Sequence, residues 1–195
     1  QTYHFDDVTF IGGGGLPVSE FSDLTFDSSG VVYTLTGFGG AEDASLQPDP
    51  TSATNTVVRI NRSTTAETFA GTVVSTGPSL TVGTVPFSTT NTRMSVRVYS
   101  PAAGIPVRLK LEDAADPTRS VETEAQTTKA NAWETLTFDF ANQVPGTAAL
   151  NLSYNYNRLI IFFNFGATGA AAGAQTYYFD DITFIGGGGI APPSG

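Results

Sequence analysis

Hydrophobic and polar positions alternate with a period of two along most of this chain. Arg93 to Tyr99 sets Met94, Val96 and Val98 on one side and Arg93, Arg97 and Tyr99 on the other, as a half-buried strand requires. Val107 to Glu112 repeats the pattern, with Val107, Leu109 and Leu111 inward and Arg108, Lys110 and Glu112 outward. Ser120 to Thr127 points Val121, Thr123 and Ala125 inward and Glu122 and Glu124 outward, and Trp133 to Phe140 buries Leu136, Phe138 and Phe140. Arg158 to Phe165 is almost continuously apolar, which predicts a central strand covered on both faces. Upstream, strands are expected over Val31 to Thr36, over Thr56 to Asn61, within Glu67 to Ser75 and over Thr84 to Phe87. Gly37 to Thr54 reads as turn-rich, with Pro48-Asp49-Pro50 fixing the chain, and Pro101 to Gly104 reads as a hairpin connection. No stretch sustains a 3.6-residue period. About ten or eleven short strands predict an all-β fold, a two-sheet antiparallel β-sandwich of the jelly-roll type.

One strand is written twice. Gln1 to Gly15 reads QTYHFDDVTFIGGGG and Gln175 to Gly189 reads QTYYFDDITFIGGGG, so only His4/Tyr178 and Val8/Ile182 differ. The offset is about one domain length, and an internal repeat of this kind marks one unit of an array. Strict alternation within the second copy puts Tyr178, Asp180, Ile182 and Phe184 on one face and Phe179, Asp181 and Thr183 on the other. Residues 1–15 are then the last strand and glycine linker of a preceding repeat. Residues 16–20 form a linker, residues 21–185 the module, and residues 186–195 a second glycine- and proline-rich linker. A first residue of Gln instead of Met reads as a processed chain or a fragment.

Composition narrows the function. The formal charge of −9 with only 9 Lys and Arg argues against a nucleic-acid partner, which needs a basic surface. No apolar run reaches the ~20 residues of a membrane helix. The charged fraction is 14%, against roughly 25% in ordinary domains, and the polar, β-branched, acidic balance reads as a secreted or cell-surface β-protein. With no cysteine and a single histidine, His4, the common catalytic triads and thiol sites are unavailable. The paired carboxylates read more simply as strand faces than as a glycosidase pair. No enzyme activity is expected.

Arg97 to Pro101 (RVYSP), the Gly104-Ile105-Pro106 turn, Val107 to Asp113 (VRLKLED), Val121 to Glu124 (VETE), Trp133 to Phe140 (WETLTFDF) and the closing YFDDITF strand carry a family likeness. Together they resemble the non-catalytic, galactose-binding-domain-like carbohydrate-binding modules of secreted polysaccharide-acting enzymes and marine bacterial surface proteins. The resemblance spans most of Leu24 to Phe184. It implies a domain without an active site, a structural calcium near the chain ends, and a glycan site on the concave sheet or the loop rim. Calcium takes six to eight oxygens, and Asp180 and Asp181, with Asp27 brought close if the first and last strands pair, are the expected donors, Asp49 and Asn55 being more distant ones. A buried, hydrogen-bonded Asp180 is the alternative.

Sugars stack their C–H faces on aromatic rings while planar polar groups hold the hydroxyls. The candidate glycan residues are Phe69, Arg97, Tyr99, Arg108, Lys110, Glu122, Trp133, Tyr154 and Tyr156. Each has a plain alternative. The charged row Arg97, Arg108 and Lys110, Glu122 is also ordinary cross-strand pairing; Phe69 and Trp133 could pack, and the two tyrosines could make edge contacts. Binding to polysaccharide by a calcium-stabilised unit of a tandem array is therefore expected. The other expectation is a structural repeat of an adhesin, matrix protein or self-assembling fibre. In that case Tyr3, Phe5, Asp6, Asp7, Val8 and Phe10 form an edge strand on a glycine leash, which enters the sheet of a neighbouring copy and builds a head-to-tail filament.

Overall fold

In the computed structural model, residues 20–186 are described; the first copy of the repeated strand, with its exchange residues Tyr3 to Phe10, and the linker residues 187–195 lie outside them. Ten strands follow in chain order: β1 (Thr34–Phe38), β2 (Asp43–Asp49), β3 (Ser52–Arg62), β4 (Gly71–Ser75), β5 (Arg93–Ser100), β6 (Pro106–Asp113), β7 (Asp116–Gln126), β8 (Ala132–Asp139), β9 (Arg158–Phe163) and β10 (Gln175–Ile185). They form two five-stranded sheets, ordered β1-β4-β9-β6-β7 and β2-β3-β10-β5-β8, with antiparallel pairing between neighbours. This is the jelly-roll sandwich that the alternation predicts. The inward rows, including Met94, Val96 and Val98 from one sheet and Val107, Leu109 and Leu111 from the other, make one continuous core. Within it Phe163 stacks on Tyr177, centroids 4.8 Å apart and planes 13° from parallel.

Several local expectations are corrected. Pro101 to Gly104 is not a hairpin, because β5 and β6 lie in different sheets; the segment arches over the sandwich and is tied down by Gly104 N–H donating to Thr127 O at 2.7 Å. The supposed turn-rich stretch contains β2, whose Pro48 opposes Thr56. A proline is tolerated there because β2 is an edge strand and no further neighbour needs its missing N–H. Thr84 to Phe87 is no strand, and only Thr84 makes an isolated bridge, to Glu20. The first strand begins at Thr34 instead of Val31.

The intact copy of the repeated strand is central, not an edge. β10 pairs with β3 through Gln175 to Phe179 and with β5 on its other side. Past residue 180 the N-terminal segment takes over from β3, through reciprocal Leu24–Ile182 backbone bonds of 3.0 Å. The exchange of neighbours happens at a bulge: the register against β5 shifts between Asp180 and Thr183, and Asp181 sits at φ 46°. The extra residue resets the phase of the strand. Tyr177 and Phe179 face the core before it and Ile182 and Phe184 after it, so the single-phase alternation of the sequence fails at the two aspartates.

The bulge gathers carboxylates. Asp181 is held above the usual carboxylate range by partial desolvation and, against the pull of Arg97, by the charges of Asp27 and Asp23; burial also raises Asp23. Groups whose pKa rises on folding bind protons more tightly in the folded state, so stability falls as pH climbs from the unfolded value near 3.8 through the raised one. Asp181→Asn keeps a residue type that tolerates positive φ and removes the repulsion. Calorimetry of the metal-free protein should show its melting temperature up by roughly 1–2 °C at pH 7 and a flatter pH dependence above about pH 3.8.

Candidate functional site

Two outer faces carry most of the polar and aromatic residues singled out in the sequence, and they are on opposite sides of the sandwich. The expected single row of Arg97, Arg108 with Lys110 and Glu122 does not exist, because β5 belongs to one sheet and β6 and β7 to the other.

On the sheet β1-β4-β9-β6-β7 the outer face holds a groove of about 370 Å³. Its floor is a second apolar cluster, Val73, Ile160 and Phe162, against which Phe38, Leu80 and Phe165 pack. This is why β9 reads as apolar throughout: its outward residues are covered by side chains of the same face and not by another layer. Phe162 meets Phe38 and Phe165 edge-on, at 5.9 and 5.4 Å between centroids. Phe69 rises at one side and is 51% exposed. Gly71, which opens β4, leaves room for the floor: a Cβ there would come within 2.5 Å of Phe162 Cδ1.

The other wall is a ladder of charge. Arg108 bonds Glu122 and Glu124, each at 3.1 Å, and its guanidinium carbon lies 3.6 Å from the ring centre of Phe165. Lys110 reaches Glu112 at 2.9 Å and Glu122 at 3.5 Å, and Arg158 reaches Glu112 at 3.6 Å. Three cations face three carboxylates, so the wall is neutral overall while offering many donors and acceptors. Four expected residues, Phe69, Arg108, Lys110 and Glu122, thus meet in or beside one groove. Phe38, Leu80, Phe162 and Phe165 were missed: Phe162 and Phe165 lie in an apolar run where an outward aromatic looks the same as a core one, and Phe38 and Leu80 stand in turn-like stretches with no periodic signal.

Arg97, Tyr99 and Trp133 stand on the opposite face. Arg97 donates to Asp180 Oδ2 at 3.0 Å and Asp49 Oδ2 at 3.2 Å, and its guanidinium carbon lies 3.9 Å from the centre of the Trp133 ring. Asn55 Nδ2 donates to both carboxylates, at 2.9 Å to Asp180 and 3.2 Å to Asp49. Trp133 Nε1 donates to Asp49 Oδ1 at 3.0 Å. Burial would raise Asp49, but bonds from Thr51, Trp133 and Asn55 outweigh it and hold the carboxyl well below the usual range. Asp180 is 1% exposed, and burial keeps it raised despite Asn55 and Arg97.

Asp180 is engaged by a guanidinium and an amide, the arrangement expected of a buried, hydrogen-bonded carboxylate. Asp27 does lie near Asp181, as first-to-last strand pairing implied, but its Oδ1 accepts from Thr56 N–H at 2.7 Å. Among the described residues no three acidic, histidine or cysteine groups converge enough to hold a metal ion. Tyr156 is also corrected: it is 1% exposed, its hydroxyl accepts from Asn151 N–H, and burial raises its pKa, so it is a core residue. Tyr154 packs on that core beneath Arg119 and lines neither face.

No protein-family model matches the chain, and no curated protein does. Solved structures do. The family 11 carbohydrate-binding module from Clostridium thermocellum, in complex with a β-1,3-1,4-mixed-linked tetrasaccharide, aligns over 86% of this chain and 98% of its own, with 16% identity and a TM-score of 0.53. The family 11 module of the cellulosomal cellulase Lic26A-Cel5E of Clostridium thermocellum aligns over 87% and 97%, with 15% identity and a TM-score of 0.51. The chain therefore shares the jelly-roll fold of carbohydrate-binding modules. Among the described residues no helix is long and apolar enough to cross a membrane.

Removing Arg97 would leave Asp49 and Asp180 buried without their cation. Arg97→Ala should cost about 3 kcal/mol in urea unfolding, and adding Asp180→Asn to that variant should restore part of the loss. Equal stability of the single and double variants would show that the pair is not coupled.

Proposed function

We propose that this protein is an extracellular, non-catalytic module that binds a neutral polysaccharide chain in the groove on the sheet β1-β4-β9-β6-β7. The supporting observation is the groove itself: an aromatic floor and rim at Phe162, Phe165, Phe38 and Phe69 beside a charge-neutral ladder of donors and acceptors. Apolar surface takes the C–H faces of sugar rings, and the fixed Arg, Lys and Glu groups take their hydroxyls. A neutral wall on a chain of charge −9 favours an uncharged polymer over an anionic one. The tetrasaccharide bound by the family 11 module makes mixed-linked β-glucan the first ligand to try.

Isothermal titration against soluble β-glucan, xylan, mannan and galactan should give saturable binding to at least one. Phe69→Ala with Lys110→Ala should weaken it tenfold or more at the groove while leaving the melting temperature within a few degrees. Gly71→Ala, which pushes on Phe162, should weaken it with a stability loss of about 1–3 kcal/mol. Groove binding unaffected by all three changes would sink the assignment. Calcium is a separable part of the proposal, supported by the family resemblance and by the mutual repulsion of Asp27 and Asp181. EDTA should then lower the melting temperature, and no change on EDTA removes the ion but not the sugar.

A structural repeat is favoured by one observation, the near-identity of residues 1–15 and 175–189. Since β10 is flanked on both sides, an incoming copy would have to displace a central strand. Deleting residues 1–15 should then abolish any filaments seen by electron microscopy; filaments that persist would rule out exchange through that strand.

A further inference from the structure

The outer face of the sheet β2-β3-β10-β5-β8 carries an aromatic surface that the groove does not use. Tyr178, Tyr99 and Trp133 are direct cross-strand neighbours on β10, β5 and β8. Their rings form a line across three strands, with centroids 5.8 and 5.6 Å apart, and each residue is only half-buried. The line runs on to Arg59, which opposes Tyr178 from β3. Cross-strand aromatic pairing stabilises sheets, and that accounts for the adjacency.

It does not account for the anchoring of the row. Asp49 and Asp180, 4% and 1% exposed, are buried beside it, bound by Arg97 and Asn55, and Asp49 also fixes the indole N–H. Apolar residues of similar volume would hold the sheet at least as well as such a network. What the network adds is a fixed orientation of Trp133, and a stacking site needs that kind of support from the residues behind it. At the other end Arg59 makes only long bonds: its Nε has no partner, and Nη2 donates to Ser45 Oγ at 3.3 Å and to the exposed Asp43 at 3.4 and 3.5 Å. Rings in line, ending in a planar cation and an exposed carboxylate, match a chain with C–H faces and hydroxyl edges.

We propose that this face is a second polysaccharide-binding surface, on the side of the sandwich away from the groove, so that one module can hold two chains. The occupant is a single neutral chain. Two buried carboxylates against one guanidinium leave negative charge under the row, which disfavours a polyanion. The rings are turned 88° and 67° from their neighbours, so a flat crystalline surface cannot lie on all three. The inference stands on these residues and not on the groove, so either site can fail alone.

Trp133 is the only tryptophan in the chain, and its emission reports this face. The full chain is titrated with soluble mixed-linked β-1,3-1,4-glucan, xylan, mannan and galactan. A saturable change in emission and protection from acrylamide quenching are expected with at least one. Both should survive in the Phe69→Ala, Lys110→Ala variant and weaken tenfold or more in Tyr99→Ala with Tyr178→Ala, which spares Trp133 and its network. Circular dichroism and melting temperature confirm that this variant is folded. Emission that no polysaccharide changes would overturn the proposal, as would a change that vanishes with the groove variant. A saturable response to a proline-rich peptide alone would reassign the face to extended peptide and also overturn it.

Discussion

The pair of Asp180 with Arg97 sits where the main features of the fold meet. Asp180 opens the bulge in β10, the place where the strand trades β3 for the N-terminal segment as its neighbour. A carboxylate there costs desolvation energy, and the guanidinium and Asn55 offset it at 3.0 and 2.9 Å. The same guanidinium then reaches Asp49, so the edge strand β2, the central strand β10 and Trp133 on β8 are tied together by one cation. The double aspartate of the repeated strand is explained by this geometry. The first aspartate anchors the face, and the second accepts the left-handed backbone that the extra residue requires.

The opposite sheet solves a different problem. Its outer face has no covering layer, yet Ile160 and Phe162 are nearly as buried as the core. Burial comes from Phe38, Leu80 and Phe165 closing in from the same side, with Arg108 laid over Phe165. Gly71 is required because Phe162 occupies the space a side chain would take. The result is an apolar trough that stays open at the top, bordered by residues already neutralising each other.

Much of the fold was legible because period-two alternation survives in β5 to β8, where one face is core and the other solvent. The failures have specific causes. Pro48 hid β2, because an edge strand can carry a proline that a central one cannot. The bulge hid the true facing of Ile182 and Phe184, since alternation cannot register an inserted residue without knowledge of the partner strand. Sheet membership was the largest gap: β5 and β6 are adjacent in sequence, so Arg97 and Arg108 looked like one surface, and only the jelly-roll crossover separates them. For the same reason the candidate residues were mostly sound in type while their grouping was wrong. Tyr156 shows the limit of type alone, for nothing in SYNYN distinguishes a ring on the surface from one that closes the core.

The two faces also differ in how they could hold a sugar, and the difference is chemical. The groove offers phenylalanine, with no polar handle, beside charged groups locked in pairs, so its hydrogen-bonding directions are set by the ladder. The row of Tyr178, Tyr99 and Trp133 places hydroxyls and an indole on the rings themselves, and the indole N–H is already committed to Asp49. Hydroxyl contacts there would fall to the tyrosines and to Arg59. A chain binding the groove would therefore be recognised along its edge by charged side chains, whereas one binding the row would be recognised mainly by stacking. Stacking reads only whether a ring face is free of axial hydroxyls; a charge ladder with fixed register reads where each hydroxyl lies. Selectivity between polysaccharides should then reside in Arg108, Lys110 and Glu122.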